Sequence, residues 1–251
     1  MRALHLQPCM GGTYRIGRAA WALPKAHLDR FPREGTHLAR YAARFSAVEI
    51  NSSFYRSHRP ATYARWAASV PADFRFSVKV PRTITHTARL TGVDALLGAF
   101  LGEVTELGDK LGCLLVQLPP SLPWDGPVSD AFLGSFRARF DDGIVIEPRH
   151  PTWFTEDVTE RLRTHDVGRV AADPARVPEA SEPAGACDVV YYRLHGSPRV
   201  YYSNYDDAYL DRLAARLRDE ATRAREVWCI FDNTAHDHAT PNALGLIERL
   251  T

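Results

Sequence analysis

The stretch Ile144–Pro151, with the sequence IVIEPRHP, decides the fold. Its three β-branched residues pack well on a sheet, and its two prolines end regular strand pairing. Side chains alternate between the two faces of a strand, so Glu147 and Arg149 share the face of Val145. The stretch therefore predicts a buried strand that presents a carboxylate and a guanidinium at its carboxyl end.

The same design recurs along the chain, where short apolar runs alternate with amphipathic helical patterns. The predicted strands are 14–17, 47–51, 74–80, 112–118, 144–151, 168–173, 188–195 and 226–233. The predicted helices are 37–45, 62–70, 94–107, 129–140 with Ser129 as N-cap, 206–225 and 242–250. Strand followed by helix, repeated eight times in 251 residues, is the signature of a single α/β (β/α)8 TIM barrel. An open doubly wound sheet is the rival, but no GxGxxG follows the first strand.

Composition limits the class of protein. We expect one TIM-barrel domain over residues 13–251, preceded by a poorly ordered tail at residues 1–12. The net charge of +1 gives no argument for nucleic acid or a membrane as partner. No signal peptide and no apolar run of about 20 residues is present. The four cysteines show no CxxC spacing, which indicates a reducing cytoplasm and no zinc site. The pattern predicts a cytoplasmic protein and leaves its oligomeric state open.

Strand phase predicts where the polar side chains point. In a closed barrel one face of each strand meets the helices, and the other fills the interior. If the apolar phase faces the helices, the inward polar residues at the carboxyl ends are Glu49, Asn51, Ser77, Lys79, Gln117, Glu147, Arg149, Asp173, Arg193 and His195. The eighth strand is ambiguous, because Asp232 and Asn233 lie on opposite phases. TIM-barrel active sites lie at this end, so we expect a site there. The alternative is a self-neutralising ion-pair layer that only fills the barrel.

Five segments, in order, resemble the motifs of one family. They are 48–56 (VEINSSFYR), 76–86 (FSVKVPRTITH), 117–121 (QLPPS), 147–153 (EPRHPTW) and 192–196 (YRLHG). The chain is identified as a member of the YecE-like family, TIM-barrel proteins labelled domain of unknown function 72. The resemblance implies a TIM barrel over nearly the whole chain and carries no established activity. Two segments depart from it: residues 17–23 keep only Gly17 and Trp21 of the family's first loop, and Asp232 replaces an amide.

The predicted site mixes acidic and basic groups, which suits an anionic, polyhydroxylated substrate. Our first hypothesis is a metal-free hydrolase or isomerase acting on a phosphate- or carboxylate-bearing compound. Glu147 or Glu49 would be the general base, Lys79 and Arg149 would stabilise negative charge, and His195 would transfer protons. The predicted substrate-binding residues are Asn51, Tyr55, Arg82, His86, Gln117, Arg149, His150, Trp153, Asp173, Arg193 and Asn233. Tyr55, Trp153 and Tyr205 either stack on a sugar or base, or pack at the rim.

Three other hypotheses stay open. A divalent-metal enzyme of sugar-isomerase or phosphodiesterase type would use Glu147, Asp173, His195 and Asp232, although neighbouring arginines would repel the metal. A non-catalytic module would bind a nucleotide or nucleic acid through basic and aromatic groups. A Schiff-base role for Lys79 requires a desolvated amine, and the nearby carboxylates are expected to keep that amine charged. The sequence identifies no cofactor.

Overall fold

The computed structural model describes residues 11–251. The predicted tail, residues 1–12, therefore lies almost entirely outside the described residues. Within them the chain forms one ten-stranded sheet with helices around it. The strands are β1 (Thr13–Ala19), β2 (Ala47–Ile50), β3 (Arg75–Lys79), β4 (Leu111–Gln117), β5 (Gly143–Glu147), β6 (Gly168–Arg169), β7 (Ala171–Asp173), β8 (Ala184–Gly185), β9 (Val189–Leu194) and β10 (Glu226–Phe231).

The sheet closes on itself through a broken strand. Strands β6 and β7 are two halves of the sixth barrel strand, separated by Val170. The first half pairs in parallel with β5, and the second half pairs in parallel with β9. β10 then pairs with both β9 and β1, which completes the ring. The short β8 adds an antiparallel pair outside it. The predicted TIM barrel is confirmed.

Seven α-helices cover the outside of the barrel in the described part of the chain. They are α1 (His37–Ala42), α2 (Pro60–Ala68), α3 (Asp94–Val104), α4 (Gly126–Arg137), α5 (Glu156–Thr164), α6 (Asp207–Glu220) and α7 (Ala239–Leu250). The sequence did not predict α5, in which Val158 and Leu162 are the buried apolar residues. No helix among them is long and apolar enough to cross a membrane.

The strand–helix repeat is interrupted at one place, and one predicted helix cap was wrong. The sixth strand is followed, within residues 174–188, by a 3-10 turn at Pro178–Ser181 and by β8 instead of an α-helix. Prolines at 174, 178 and 183 remove the N–H groups that a helix there would need. Ser129 is not an N-cap, because α4 begins earlier and Asp125 caps it by accepting a hydrogen bond from the Val128 N–H at 3.1 Å.

The barrel separates two apolar layers. A large cluster lies between the sheet and the helices. A smaller cluster fills the interior and contains Ala47, Leu115, Val145, Tyr191 and Trp228. This partition confirms the predicted phase of the second, fourth, fifth and seventh strands.

The interior phase also resolves the eighth strand. Trp228 and Ile230 lie in the barrel interior, so alternation places Asp232 inside with them and Asn233 outside. The same test corrects the sixth strand. Ala172 pairs with the inward Arg193, and Asp173 pairs with Leu194 of the outer layer. Asp173 therefore points away from the interior, contrary to the prediction.

Close approach of β1 and β2 requires a glycine at Gly17. A Cβ at this position would lie 2.0 Å from the Ala47 carbonyl oxygen and 3.0 Å from the Tyr41 hydroxyl. Any side chain would push β1 and β2 apart at this point. This close approach explains why β1 has a glycine at position 17.

Candidate active site

Arg193, near the end of β9, is the centre of a buried ion network at the carboxyl end of the barrel, which we call the mouth. Its Nε and Nη2 donate to the two carboxylate oxygens of Glu49 at 2.9 and 2.7 Å. Its Nη1 donates to Glu147 Oε2 at 2.9 Å, and its Nη2 also donates to Asp232 Oδ2 at 3.1 Å. One guanidinium thus holds three carboxylates that come from three different strands or strand ends.

His195 completes the Arg193 network by joining two of these carboxylates. Its Nδ1 lies 3.1 Å from Asp232 Oδ2, and its Nε2 lies 3.2 Å from Glu147 Oε1. A ring with a carboxylate at each nitrogen is best satisfied as the doubly protonated imidazolium. Burial opposes that charge, but Glu147 and Asp232 outweigh it and raise the pKa of His195. The network therefore favours the protonated form of His195.

Glu147 and Asp232, two carboxylates of the network, are held in the ionised form. Burial favours protonation of Glu147, but Arg193, His195 and Arg149 overcome it and hold its pKa well below the usual range. Burial likewise opposes ionisation of Asp232, and Arg193 with His195 lowers its pKa. Oxygens that already accept several charge-assisted hydrogen bonds are weak proton acceptors. Glu147 is thus poorly suited to act as a general base.

Glu49 lies beneath the mouth and has no solvent-exposed surface. Besides the two bonds from Arg193, its Oε2 accepts a hydrogen bond from the Tyr191 hydroxyl at 2.9 Å. The Tyr191 hydroxyl in turn lies 2.8 Å from Ser77 Oγ. Burial raises the pKa of Tyr191 well above its ordinary value, which keeps the hydroxyl as a donor. This arrangement makes Glu49 a support for Arg193.

Lys79, at the end of β3, lies at the mouth without an ion partner. Its Nζ is 4.2 Å from the centre of the Phe54 ring, and the residue is 7% exposed. Within residues 11–251 its amine makes no hydrogen bond and no ion pair, because Arg193 occupies the carboxylates around it. Burial and the charge of Arg193 lower the pKa of Lys79 to about 8. Glu49, Glu147 and Asp232 act against this shift, and with a pKa of about 8 the amine is still mostly charged at pH 7.

Other cations gather beside Lys79. Arg149 donates to Glu147 Oε1 from Nε at 3.2 Å and from Nη2 at 2.9 Å, and its side chain is 20% exposed. Burial and the positive charges of Lys79, Arg82 and Arg149 lower the pKa of His86. A neutral imidazole surrounded by three cations marks a region of positive potential that an anion would occupy favourably.

A cleft of about 170 Å³ opens beside this region. Glu147, Arg149, Arg176 and His195 form its polar wall. Its apolar wall consists of Pro174, Ala175, Ala180 and Val200, together with Ala172. The cleft therefore joins charged groups of the Arg193 network to a small apolar surface.

Tyr201 is a residue at the mouth that sequence reasoning missed. Its ring stands edge-on to His195 with centroids 6.1 Å apart, and its N–H donates to the His195 carbonyl at 2.5 Å. Burial and the charge of Asp232 raise the pKa of Tyr201. Its position after β9 was the only signal in the sequence, since loops that follow barrel strands form the mouth.

Several predicted substrate-binding residues serve the structure instead. Trp153 is fully buried, packs edge-on against Trp124 at 4.7 Å and donates from Nε1 to the Leu122 carbonyl at 3.0 Å. It is therefore not available to a substrate. His150 caps the 3-10 turn Pro151–Trp153, with Nδ1 accepting from the Thr152 N–H at 3.4 Å.

Asp173 and Asn233 lie apart from the Arg193 network. Asp173 Oδ1 accepts from the Tyr205 hydroxyl at 2.8 Å, and Tyr205 itself is buried. Asn233 Nδ2 donates to the Ser203 carbonyl at 3.0 Å and to Asn242 Oδ1 at 2.9 Å. The Asp173 contact ties β7 to the loop after β9, and the Asn233 contacts tie that loop to α7, so both residues have a structural role.

Three further predicted residues lie around the mouth with unused polar groups or surface. Gln117 is 7% exposed and pairs in register with Glu147, so the two side chains share a face. Asn51 follows β2, and its buried Oδ1 has no hydrogen-bond partner among the described residues. Tyr55 is 72% exposed and packs edge-on against Phe54 at 4.9 Å.

The family model described as "Protein of unknown function DUF72" matches residues 15–251. The chain belongs to the DUF72 family. It is 34% identical over 165 residues to the UPF0759 protein YecE of Escherichia coli strain K12, which covers 63% of this chain and 58% of YecE. The matched region thus spans little more than half the length of that relative. The UPF0759 protein YunF of Bacillus subtilis is 22% identical over 245 residues, which cover 85% of this chain and 86% of YunF.

Solved structures of DUF72 proteins share the fold. A DUF72 family protein of Thermotoga maritima superposes with a TM-score of 0.79 at 23% identity, covering 95% of this chain and 99% of that one. A DUF72 family protein of Enterococcus faecalis gives a TM-score of 0.79 at 22% identity, covering 95% of each chain. The resemblance stated from the five motifs is confirmed.

The side chains at the mouth of this DUF72 protein do not favour the binding of a metal ion. Glu147, His195 and Asp232 converge as the metal hypothesis requires, but they converge on the Arg193 guanidinium. That cation occupies the position that a divalent ion would take, and Asp173 lies outside the group. No cluster of three metal-ligating side chains suited to an ion occurs in residues 11–251.

Proposed function

We propose that this DUF72 protein is an enzyme of hydrolase or isomerase type that acts, without a metal, on a small anionic polar substrate at the mouth. One observation carries the proposal. The three buried carboxylates are paired with three cations, Arg193, His195 and Arg149, whereas Lys79 and Arg82 have no carboxylate partner among the described residues. A phosphate or carboxylate supplied by a substrate would complete the charge balance there.

Lys79 is the group best suited to accept a proton. Effective general bases have a pKa near the working pH, and Lys79 has a pKa of about 8. Glu147, which the sequence suggested as the base, is ionised and saturated with hydrogen bonds. In the proposal Glu147 orients Arg149 and His195, and Arg149 binds the anion.

His195 is the proposed proton donor. It carries a proton between Glu147 and Asp232 and forms part of the cleft wall. The free acceptor of Asn51 and the side chain of Gln117 would bind the hydroxyl groups of the substrate. Proton-transfer chemistry requires one group that donates a proton and another that accepts it, and in the proposal His195 and Lys79 supply them at the mouth.

Turnover of candidate substrates tests the proposal. Phosphorylated sugars and short carboxylates would be incubated with protein in a chelating buffer, and conversion would be followed by proton NMR. We expect turnover by the parent protein, a loss of at least about a hundredfold in Lys79→Met, the size of a missing acid–base group, and a smaller loss in Glu147→Gln, which no longer orients Arg149 and His195. Arg139→Met, a substitution in an exposed ion pair, is the matched control. Equal turnover by all variants, or turnover only when a divalent metal is added, would contradict the proposal.

Nucleotide or nucleic-acid binding is the second candidate function, and the exposure of Tyr55 at 72% favours it. An exposed ring beside basic groups is the usual stacking surface for a base. Binding of a short single-stranded oligonucleotide would be measured at several salt concentrations in the parent and in Tyr55→Ala. Binding that weakens steeply with salt and with Tyr55→Ala would favour this function, and no binding at low salt would exclude it.

A further inference from the structure

Lys79 is an unusual choice of cation for this chain. Lys25, Lys79 and Lys110 are the three lysines among the 31 Lys+Arg residues, and all other basic positions of that set carry arginine. Arginine stays protonated at any physiological pH, whereas lysine can lose its proton and act as a nucleophile. Lys25 is exposed, Lys110 is partly exposed and Lys79 is buried at the mouth. Lys79 is thus the buried position at which lysine, unlike arginine, offers a nucleophilic amine as well as a positive charge.

The surroundings of Lys79 make its amine easier to deprotonate than that of an exposed lysine, because burial and the charge of Arg193 lower its pKa to about 8. The Phe54 ring, 4.2 Å from Nζ, favours the charged form, but the carboxylates of Glu49 and Glu147 are bound to Arg193 and form no ion pair with Lys79. The residue nevertheless keeps 7% exposure, so a small molecule that enters the mouth has a route to it. A desolvated amine without an ion partner is the form of lysine that attacks carbonyl groups.

We propose that Lys79 forms a Schiff base with the carbonyl group of a small anionic aldehyde or ketone. The proposal rests on the anion-binding mouth proposed above, gives Lys79 the role of nucleophile in place of general base, and narrows the substrate class to carbonyl compounds that bear a carboxylate or phosphate. Arg149, Arg82 and His86 would bind the anionic group. The small apolar cleft beside Arg149 would accept the rest of the molecule.

The covalent step balances with the groups present. The lone pair of the neutral Lys79 amine attacks the carbonyl carbon, and the C=O π electrons move to the oxygen. A proton passes from nitrogen to oxygen and gives a carbinolamine. A second proton, from His195 or from a water molecule that relays it, converts the hydroxyl into water. Departure of that water leaves a protonated imine, so amine, carbonyl and one proton yield an iminium ion and water.

The lysine content makes a direct test simple. Native protein would be treated with glyoxylate and sodium cyanoborohydride, which reduces the imine to a stable secondary amine, and the modified residue would be located by peptide mass mapping. The double variant Lys25→Arg, Lys110→Arg leaves Lys79 as the one lysine side chain. Glycolaldehyde, an uncharged aldehyde of similar size, and inorganic phosphate as a competitor complete the design.

We expect glyoxylate to modify Lys79 at least about tenfold faster than Lys25, with more labelling at pH 9 than at pH 6. The double variant should be labelled at the same rate, and Lys79→Met should lose this adduct. Lys79 labelling no faster than that of Lys25 would overturn the proposal, even if phosphate binds at the mouth. Fast labelling of Lys79 by glyoxylate and glycolaldehyde alike, without protection by phosphate, would support the Schiff base and refute the anion-binding function.

Discussion

Arg193 and Glu49 form a two-bond ion pair inside the barrel, with N–O distances of 2.9 and 2.7 Å and side chains that are 1% and 0% exposed. The pair fixes the guanidinium so that its remaining N–H groups reach Glu147 and Asp232. A buried pair of this kind adds little net stability compared with apolar residues of the same size, but removal of one partner leaves an uncompensated charge. The pair therefore helps to hold the nearby carboxylates on Arg193, which leaves Lys79 at the mouth without an ion partner.

The first prediction concerns Arg193→Met. The substitution leaves Glu49, Glu147 and Asp232 without their shared cation, and we expect the free energy of unfolding to fall by about 3–5 kcal/mol. Urea denaturation followed by tryptophan fluorescence measures the loss. Arg139→Met, which breaks an exposed pair with Asp94, should change stability by less than about 1 kcal/mol. Similar small losses in both variants would show that the three carboxylates do not depend on Arg193.

The second prediction concerns the pH dependence of His195→Gln. The pKa of His195 is raised in the folded protein, so its stabilising contribution is fully present below the unfolded value of 6.5 and is lost as pH rises through the folded value. The difference in unfolding free energy between the parent and His195→Gln should therefore be largest near pH 6 and should narrow toward pH 9. A difference that stays constant, or widens with pH, would mean that His195 is not held as an imidazolium.

The third prediction separates Asp173 from Arg149. Asp173→Asn weakens the contact with the Tyr205 hydroxyl, and we expect a stability loss of about 1–3 kcal/mol with unchanged phosphate affinity. Arg149→Met should weaken phosphate binding about tenfold, or ~1.4 kcal/mol, because it removes a cation from the mouth. Isothermal titration calorimetry measures the affinities. A loss of phosphate affinity in Asp173→Asn and not in Arg149→Met would reverse the assignment of the two residues.

The fourth prediction concerns the close packing of β1 against β2 at Gly17. Gly17→Ala places a Cβ 2.0 Å from the Ala47 carbonyl oxygen and should destabilise the protein by about 1–3 kcal/mol or more. Gly98→Ala is the matched control, because Gly98 lies on the exposed face of α3 with no atom within 4 Å of the added Cβ. Removal of a helical glycine should raise stability by about 0.5–1 kcal/mol. Equal effects in urea denaturation would show that β1 and β2 do not approach closely at Gly17.

The fold followed from the sequence because strand phase has a period of two. Apolar residues at alternate positions in β2, β3 and β9 placed Glu49, Lys79 and Arg193 in one interior, and the structure confirms that placement. The phase of the sixth strand could not be read in the same way. Alanines occupy both phases of its second half, so the pattern around Asp173 carried little information about which face is buried.

The site was harder to predict than the fold, since it depends on how charges share partners. The sequence supplied the acidic and basic residues but not the bidentate contact of Arg193 with Glu49, which leaves Lys79 unpaired. Nor did it show that the Trp153 N–H donates a hydrogen bond to the Leu122 carbonyl inside the core. Both facts arise from tertiary geometry between residues that are far apart in the chain.

The ionisation of Lys79 is the most direct measure of whether the mouth is an anion site with a free amine. Selective labelling with ¹³C,¹⁵N-lysine gives signals from Lys25, Lys79 and Lys110, and a pH titration by NMR follows each side chain separately. We expect Lys79 to titrate with a pKa of about 8, and we expect inorganic phosphate to raise that pKa because an anion stabilises the ammonium form. A pKa for Lys79 near the ordinary lysine value of 10.5, unchanged by phosphate, would contradict both the free amine and the anion site.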